Sequence, residues 1–458
     1  MVRAKKETAL TPEERLQAAL VPDWERPYKL PENWCWTRHN SIMDIVGGAQ
    51  PEKAFFIREP KEGYVQLYQT RDYGENPVPV YIPQKYATKT TDEGDILLAR
   101  YGGSLGKVFR AHKGAYNVAL AKVIILYPEV VDDEFLYLYY YSHFYQDFCI
   151  KAGYGRSAQA GFNKSDLNEL LFPLPPFIEQ QRIVDRIESL FAKLDEAKEK
   201  AQAVVDSFET RKAAILHKAF TGELTAKWRE EHGVGMESWK TRELAECFEI
   251  VSGIQKTPAR SPKDNPVPYL TVANVYRGRI DLSDIRYFEV TSKEIEKLKL
   301  QDKDILIVEG NGSGNEIGRC AIWHNELPLC IHQNHIIRMR RKTADILPEY
   351  ALHYLNSEAG KSIMRERSKT TAGLFNLSAG KIKTIPLPMA SLDEQSEIIH
   401  LIDSLLEKEQ WAKESAEAVL DQIDLMKKSI LARAFRGELG TNDPSEESAV
   451  ELLKRTIL

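Results

Sequence analysis

The chain contains one long sequence twice. Residues 179–224 and 394–439 align without a gap, and 22 of the 46 aligned pairs are identical. A regular apolar pattern between charged residues predicts that each copy is a long helix. Two copies of a long helix predict two similar modules held at a fixed separation, and a ligand that also has two parts.

Shorter matches extend the repeat beyond the helices. Trp36 aligns with Trp239, residues 94–107 align with residues 301–319, and a Pro-Leu-Pro motif precedes each long helix. The sequences between these matches diverge. Each half is therefore predicted to be a variable globular domain of about 145 to 155 residues followed by a long helix.

Short apolar runs in the globular parts alternate with glycine-rich turns, as in DILLA, AKVIIL, DILIV and HIIRM. They predict an α+β fold in which each domain has a small mixed sheet and several helices. An aromatic run, LYLYYYSHF, is too short to span a membrane and predicts a buried helix. The two halves together predict a pseudo-twofold repeat.

The two long helices share an apolar seam whose spacings alternate between four and three residues. Such a repeat is typical of left-handed coiled-coil packing. We predict an antiparallel pair in which Ala197 and Ala201 lie near Ala416 and Ala412. The alternative is that each helix packs only on its own domain. The predicted seam residues are Ile183, Ile187, Leu190, Leu194, Ala197, Ala201, Val204 and Phe208 in the first helix, and Ile398, Ile402, Leu405, Ala412, Ala416, Val419 and Ile423 in the second.

These features predict a division of the chain into consecutive segments. They are an N-terminal strap (residues 1–33), a first globular domain (34–178), a central long helix (179–224), a linker (225–238), a second globular domain (239–391), a distal long helix (392–439) and a tail helix (440–458). The strap and the tail are expected to pair, which would join the two ends of the repeat.

The composition is that of an ordinary globular protein, with 43% hydrophobic and 28% charged residues. No apolar run reaches the length of a membrane span, and the N-terminus lacks the apolar core of a signal peptide, so we expect a cytoplasmic protein. Five scattered cysteines disfavour a disulfide framework and a structural zinc site. The net charge of −5 weakly opposes nucleic-acid binding, but a basic cleft can coexist with an acidic remainder.

No catalytic motif is complete. Leu174 stands where a methyltransferase needs Asn or Asp before its Pro-Pro-aromatic sequence. A glycine-rich loop resembles a phosphate loop, but Val108 replaces the Ser or Thr that binds magnesium. His332 and His335 have no further ligands nearby in sequence, which favours surface or DNA-facing roles over a metal site. We predict no catalytic residue, no metal and no cofactor in this chain.

Two polar, glycine-rich loops recur at matched places in each half. The first loops are residues 100–104 and 309–315, and the second are residues 154–163 and 368–376. Glycine permits close approach of the backbone to a phosphate or a base, while Arg and Asn bind guanine and adenine bidentately. Each loop alone is typical of an ordinary surface turn, but the recurrence favours DNA contact by at least one loop per domain.

The predicted DNA-contacting residues combine these loops with nearby polar side chains. In the first half they are Arg71, Arg100, Tyr101, Gly102, Ser104, Lys107, Asn117, Lys122, Arg156, Ser157 and Gln159. In the second half they are Asn274, Arg277, Arg279, Asn311, Ser313, Asn315, Arg319, Gln333, Asn334, Lys369, Thr370 and Thr371. For each residue outside the loops, a solvated or structural role is an equal alternative.

The layout resembles the DNA specificity subunit of type I restriction–modification systems. The resemblance covers essentially the whole chain. The residues that carry it are Glu179-Gln180 and Glu394-Gln395 after the Pro-Leu-Pro motifs, the repeated Ala-Phe-x-Gly-Glu-Leu at 219–224 and 434–439, and Leu-Pro-Glu-Asn-Trp at 30–34.

The resemblance implies that each globular half is a target-recognition domain that reads one half of a bipartite site in double-stranded DNA. The coiled coil would set the spacer, and the helices and chain ends would dock two methyltransferase subunits. Partner subunits would bind S-adenosylmethionine, ATP and magnesium, and they would include up to two ATP-dependent motor-nuclease subunits. Three alternatives remain open: a stand-alone DNA-binding regulator, a detached part of a single-chain restriction enzyme, and a structural coiled-coil adaptor.

Overall fold

The computed structural model describes residues 11–154, 161–310, 316–368 and 376–458. The chain divides into two compact units, one formed by Met1–Lys200 with Val419–Leu458 and the other by Ala201–Ala418. Each unit therefore combines one globular domain with part of both long helices. No helix in the described ranges has the length and apolar character needed to cross a bilayer.

The first globular domain mixes strands and helices, as predicted. The helices are α1 (Pro12–Ala19), α2 (His39–Ile42), α3 (Asp133–Tyr139), α4 (His143–Tyr154) and the long α5 (Phe177–Asp206). The strands are β1 (Cys35–Arg38), β2 (Met43–Gly47), β3 (Tyr64–Tyr68), β4 (Tyr81–Pro83), β5 (Thr90–Thr91), β6 (Ile96–Ala99), β7 (Val108–Arg110), β8 (Gly114–Tyr116), β9 (Leu120–Ile125) and β10 (Leu171–Leu174). Within the described residues, β2-β9-β6-β7 form one antiparallel sheet in that order, β4-β3-β8-β5 form a second, and β1 pairs with β10.

Strand β6 is buried on both faces, which explains its continuous apolar sequence. Ile96 and Leu98 belong to the buried cluster that contains α3, whereas Leu97 and Ala99 belong to a smaller cluster. Successive side chains of a strand point to opposite faces, so each face of β6 contributes to a different cluster.

The aromatic run forms the buried helix α3. Asp132 caps this helix by accepting a hydrogen bond from the Phe135 amide (2.9 Å). Phe135 and Tyr139 are fully buried, whereas Tyr141, beyond the end of α3, is 43% exposed. The prediction of a buried helix is therefore confirmed for the first part of the run.

The second globular domain repeats this architecture. The helices are α6 (Phe208–Phe220), α7 (Ala226–Glu231), α8 (Leu244–Cys247), α9 (Ser292–Leu298), α10 (Pro348–Asn356), α11 (Glu358–Ser368), α12 (Ala379–Lys383) and the long α13 (Leu392–Ala434); α14 (Ala449–Ile457) belongs to the first unit. The strands are β11 (Lys240–Glu243), β12 (Phe248–Ser252), β13 (Pro266–Leu270), β14 (Val275–Tyr276), β15 (Arg279–Ile280), β16 (Arg286–Glu289), β17 (Ile305–Val308), β18 (Cys320–Ile322), β19 (Ile331–His332), β20 (Ile336–Arg341) and β21 (Pro386–Met389).

The main antiparallel sheet and the ribbon of first and last strands have the same topology in the two domains. Strands β12-β20-β17-β18 pair in the order and antiparallel sense of β2-β9-β6-β7, and β11 pairs with β21 as β1 pairs with β10. A further sheet has the order β16-β13-β19, and β14 pairs with β15. The repeated sheet confirms the predicted α+β repeat.

The long helices run antiparallel. After a one-residue break, α5 continues as α6, and α13 extends for 43 residues, or about 65 Å at 1.5 Å per residue. Contacts within each unit show the direction. In the first unit they are Asp195–Lys427 (2.6 Å) and Lys198–Asp424 (3.9 Å), and in the second they are Arg211–Glu409 and Lys413 Nζ over the Phe208 ring (5.0 Å from its centre). Partner numbers fall along α13 as they rise along α5 and α6, which confirms the antiparallel coiled coil.

The predicted alanine pairing is wrong in register. Lys198 contacts Asp424, so its neighbour Ala197 lies about two helical turns from Ala416, the partner that the spacing predicted. Long polar side chains on the flanks of the helices fix the register. A pattern of apolar residues alone cannot predict which of these polar side chains pair.

One predicted seam residue is also wrong. Val419 is 41% exposed, and the half-buried Leu420 takes its place between the buried residues Ala416 and Ile423. From Ala412 through Ala416 to Leu420 the seam has two successive spacings of four residues, a local departure from the strict alternation of four and three that the prediction assumed. The other predicted seam residues are buried or half-buried.

A buried glutamate fixes the start of each long helix. In the second unit, Glu394 Oε2 accepts a hydrogen bond from Trp239 Nε1 (2.8 Å), and Oε1 accepts from Thr225 Oγ1 (2.7 Å) and pairs with Arg229 (2.6 Å). We call these four residues the second clamp. Thr225 and Arg229 follow α6 in the segment predicted as a linker, which contains α7. The second clamp therefore links the start of α13 to the segment that follows α6.

The first unit contains the equivalent cluster. Glu179 Oε2 accepts hydrogen bonds from Trp34 Nε1 (2.8 Å) and Asn442 Nδ2 (2.8 Å), and Oε1 accepts from Thr441 Oγ1 (3.2 Å). These residues form the first clamp. Thr441 and Asn442 follow α13, so in both units the glutamate at the start of one long helix binds residues that follow the other. The partners of Glu179 in this cluster are neutral, whereas Glu394 pairs with Arg229.

The clamps correct the alignment of the tryptophans. Trp34, and not Trp36, is the equivalent of Trp239, because these two indoles bind the two glutamates. The sequence Trp-Cys-Trp offered two candidates two residues apart. The glutamine after each glutamate fixes a neighbouring turn, since Gln180 accepts from the Asp132 amide (2.8 Å) and Gln395 accepts from the Leu347 amide (2.9 Å).

The two chain ends pair, as predicted. Asn33 Nδ2 donates to Asp443 O (2.9 Å), Asn442 Nδ2 donates to Asn33 Oδ1 (2.7 Å), and the Ala449 amide donates to Asn33 O (2.9 Å). Helix α1 also packs against α14. Residues 11–33 of the strap and the tail helix are therefore one structural element of the first unit.

Candidate DNA interface

The two polar loops of the first domain meet at one end of the β2-β9-β6-β7 sheet. Arg100 and Tyr101 follow β6, and the Phe162 amide donates to Arg100 O (3.3 Å). Tyr101 forms a β-bridge with Gly161, and its hydroxyl donates to Asn163 Oδ1 (3.2 Å). The fold thus places side by side two loops that are far apart in sequence.

A third and a fourth segment complete this surface. Gly48 follows β2, and a Cβ atom on Gly48 would lie 2.1 Å from Asn117 O, so this crossing requires glycine. Asn117 is buried, and its Oδ1 accepts from the Ala119 amide (3.1 Å). We call residues 48–50, 100–104, 117–119 and 161–163 the first rim. The predicted contacts Arg100, Tyr101, Gly102 and Ser104 lie on it, and Asn117 shapes its turn.

The second domain has the same construction. Gly253 follows β12, and a Cβ atom there would lie 2.1 Å from His332 O. The Glu309 amide donates to His335 O (2.9 Å), and the Leu377 amide donates to Glu309 O (2.7 Å). We call residues 253–255, 309–310, 332–335 and 376–377 the second rim. The predicted contacts Gln333 and Asn334 lie on it, and both are half-buried.

Arg100 is held by its own domain but has no acidic partner there. Its guanidinium donates to Val118 O (3.1 Å), packs against Gly47 and lies 4.8 Å from the centre of the Tyr101 ring. Among the described residues, no carboxylate forms an ion pair with it, and its buried Nε has no hydrogen-bond partner. Part of its capacity to donate hydrogen bonds is therefore unused.

Three predicted contact residues have structural partners instead. Lys122 pairs with Asp95 across the sheet. Asn274 is buried, and its Nδ2 donates to Asp281 O (2.9 Å). Arg319 pairs with Glu316 (3.1 Å) and donates to Val272 O (3.0 Å). These contacts give Lys122, Asn274 and Arg319 structural roles in their domains, and DNA contact by them stays a prediction.

Other predicted residues lie at different places on the surface. Lys107 lines a groove with Lys427 and Lys428 of α13, and Arg277 lines a cavity of about 240 Å³ with Lys212 and Lys361. Both residues therefore face the coiled coil of their own unit. The exposed Arg279 lies 4.2 Å from the centre of the Tyr276 ring.

Arg71 lies near the first rim. It follows β3, whose last residue Tyr68 accepts a hydrogen bond from the Asn117 amide (3.0 Å). Its side chain is exposed. The remaining predicted contacts, which are Arg156, Ser157, Gln159, Asn311, Ser313, Asn315, Lys369, Thr370 and Thr371, lie outside the described residues.

The two histidines of the second rim have different roles. His332 is fully buried, contrary to the surface role predicted for it; Nδ1 donates to Ile336 O (2.9 Å), and burial lowers its pKa to about 4. His335 is exposed, and its Nδ1 lies 3.2 Å from Glu309 Oε2. Glu309 begins one of the predicted loops but was not among the predicted contact residues, although it stands directly after β17 as Arg100 stands directly after β6.

The fold and these surfaces define a protein with two related domains, each with a polar rim on one sheet, mounted on an antiparallel pair of long helices. The sequence profile of the type I restriction modification DNA specificity domain matches residues 31–205 and 236–419. The chain therefore belongs to the type I restriction–modification DNA specificity family. It carries two DNA-recognition domains, and its contribution as a specificity subunit is recognition and not catalysis.

Individual relatives agree with this assignment. The chain is 28% identical over 433 residues to the EcoKI specificity subunit of Escherichia coli strain K12, and 24% identical over 437 residues to the StySPI specificity subunit of Salmonella potsdam, with 90% of each chain covered in both comparisons. The HsdS subunit of Thermoanaerobacter tengcongensis has the same fold, with a TM-score of 0.57, 19% identity, and coverage of 90% of this chain and 99% of that one. A chain from a type I R-M system solved for its complex assembly gives a TM-score of 0.63 at 18% identity, with 90% and 100% covered.

Proposed function

We propose that the two recognition domains read the two halves of a bipartite DNA site, and that the helix pair sets the number of unread base pairs between them. The observation that carries this proposal is the repeat of one scaffold with different surface chemistry. The main antiparallel sheet has the same strand order in both domains, and both have the same glycine crossing. The side chains on their rims differ, so the two half-sites should differ in sequence.

The first rim offers donors and an aromatic ring through Arg100 and Tyr101. The second offers an acceptor and two amides through Glu309, Gln333 and Asn334. Arginine pairs with guanine, amides pair with adenine and carboxylates accept from cytosine in the major groove. Residues 155–160 and 369–375 of the second loops are proposed to add phosphate contacts, as their small hydroxyls and basic residues indicate. The proposed limits of the domains are residues 34–178 and 239–391.

We further infer that the long helices and the joined chain ends dock two methyltransferase subunits. In this proposal those subunits bind S-adenosylmethionine, and up to two motor-nuclease subunits that use ATP and magnesium join them. Support comes from the family, whose members are named as subunits of type I restriction enzymes. A two-to-one ratio of methyltransferase to this chain after co-purification is the expected result.

The bipartite site is tested by selecting bound duplexes from a random library with the full chain in complex with its methyltransferase subunits. We expect two short conserved blocks separated by a spacer of fixed length. Arg100→Ala should alter one block, and Gln333→Ala should alter the other, because the two side chains lie on different rims. Arg286→Ala is the control, since this exposed side chain on β16 lies outside both rims.

Two results would contradict the proposal. One is a single conserved block with the unmodified chain. The other is a change in both blocks caused by Arg100→Ala alone, since one side chain cannot contact two separated half-sites.

A further inference from the structure

Equivalent backbone positions of the two rims carry side chains of opposite charge. The pairings of β6 with β9 and of β17 with β20 have the same register, so Arg100 and Glu309 each stand one residue beyond equivalent strands. The Arg100 amide donates to Ala119 O (2.8 Å), and the Glu309 amide donates to His335 O (2.9 Å). The scaffold therefore presents a donor-only group in one domain and an acceptor-only group, a carboxylate, at the same place in the other.

The carboxylate of Glu309 is only lightly engaged by the protein. Its side chain is 17% exposed and its one ion-pair partner among the described residues is the exposed ring of His335, at 3.2 Å. No Lys or Arg in the described parts of the chain pairs with it. Both oxygens of a carboxylate can accept hydrogen bonds, so Glu309 retains acceptor capacity beyond the one to His335.

A negative charge on a surface that faces DNA is unfavourable unless a base compensates it. The phosphates repel a carboxylate, and this repulsion acts on every DNA sequence alike. A hydrogen bond from a base offsets the repulsion for one sequence only. A glutamate at this place therefore discriminates against sequences that cannot donate, which is a known route to specificity.

We propose that Glu309 accepts a hydrogen bond from an exocyclic amino group, cytosine N4 or adenine N6, in the major groove of one half-site. At the equivalent step of the other half-site, Arg100 donates to the O6 and N7 acceptors of guanine. This inference rests on the proposed function, since it assigns one base of each half-site to a named side chain. At one equivalent base, the half-site read by the first domain would present acceptors and the half-site read by the second would present a donor.

The test removes single amino groups from the DNA. In the half-site assigned to the second domain, each cytosine is replaced in turn by 2-pyrimidinone and each adenine by purine, which lack only that amino group. Binding by the full complex should fall roughly 5- to 150-fold at one base and little elsewhere. The analogue that produces the loss identifies the base as cytosine or adenine.

The variant Glu309→Met, whose side chain has a similar length but no acceptor oxygen, then tests whether this residue is the acceptor. The variant should lose the sensitivity at that base and keep the other preferences of both half-sites. Its affinity for an unrelated duplex should rise, because a repelling charge has been removed. A merely structural role predicts the opposite, which is weaker binding to all duplexes. Arg100→Gln is the matched control, and it should change a guanine of the other half-site only.

The outcomes separate the two proposals. If the unmodified complex selects a bipartite site but tolerates the loss of every single amino group, the role of Glu309 is overturned and the proposed function stands. This result needs no variant and so does not depend on how Glu309→Met folds. If the variant folds and keeps the sensitivity at the same base, the role is also overturned. If the unmodified complex selects no bipartite site, the proposed function itself fails.

Discussion

The second clamp gives a prediction whose size follows from its charges. Glu394→Gln keeps the shape of the side chain but leaves the Arg229 guanidinium, whose side chain is 8% exposed, without its counter-charge. Removal of one partner from a buried ion pair costs about 3 to 5 kcal/mol, because the remaining charge stays buried and uncompensated. The first clamp provides the matched comparison.

Glu179→Gln removes the same charge from a cluster whose donors are the neutral groups of Trp34, Thr441 and Asn442. The amide oxygen of Gln retains part of the acceptor capacity, so the loss should be about one charge-assisted hydrogen bond, or roughly 1.5 to 3 kcal/mol. Glu394→Gln should therefore be more destabilising than Glu179→Gln by about 2 kcal/mol.

Hydrogen exchange under native conditions measures the two losses separately, because each clamp lies in its own unit and opens locally. The amides of α7 should lose protection in Glu394→Gln and keep it in Glu179→Gln. In a double-mutant cycle, Arg229→Met should restore part of the stability lost in Glu394→Gln, since it removes the orphaned charge. Equal losses in the two glutamine variants, or no recovery in the double variant, would refute the assignment of the cost to the buried charge.

Three further predictions concern the rims, the acid response and the spacer. Gly48→Ala should disrupt the first rim and weaken recognition of one half-site, because its Cβ would meet Asn117 O, whereas Gly103→Ala, with open space around its Cβ, should have little effect in the same binding assay. The folded pKa of His332, about 4, is below the unfolded value near 6.5, so the unfolded chain binds the extra proton and stability is lost as the pH falls from 6.5 to 4, by up to about 3 kcal/mol. His332→Asn keeps the donor to Ile336 O but cannot ionise, so its melting temperature should fall less steeply over this window. Deletion of seven residues from each long helix at facing positions should shorten the spacer by about three base pairs, since seven residues span about 10 Å and a base pair about 3.4 Å.

Each of these predictions has a result that contradicts it. A bipartite site that Gly48→Ala leaves unchanged would remove the glycine crossing from the recognition surface. If the melting temperatures of the unmodified chain and of His332→Asn fall equally between pH 6.5 and 4, His332 does not cause the loss of stability in acid. The same spacer with altered bases after the paired deletion would contradict the role of the helices as a ruler.

The sequence predicted those features that depend on local pattern. Strand β6 is a continuous apolar run, and the antiparallel helix pair follows from a long apolar seam present twice. The pairing of the chain ends was also accessible, because α14 has one apolar face and the strap offers another.

The errors arose where a polar partner distant in sequence decides the outcome. Lys122 resembles a DNA-binding residue in the sequence, but Asp95 pairs with it in the fold. The exposed face of α13 at Val419 depends on a register that charged flanking residues fix. Glu309 was not among the predicted contact residues for a different reason. An acidic residue is not an obvious candidate for DNA contact, and only the strand pairing shows that its position is equivalent to that of Arg100.

The pairing of β1 with β10 has a consequence for how such chains change over time. The chain enters and leaves the first domain through this one ribbon, where Cys35 lies opposite Leu174, and the second domain has the same entry where Lys240 lies opposite Met389. The segment between the two strands of a ribbon can be replaced as a cassette if it keeps the residues that pack on the long helices, such as Phe135, whose ring centre lies 5.1 Å from that of Phe435. New specificities can therefore arise by exchange of whole cassettes on an unchanged frame.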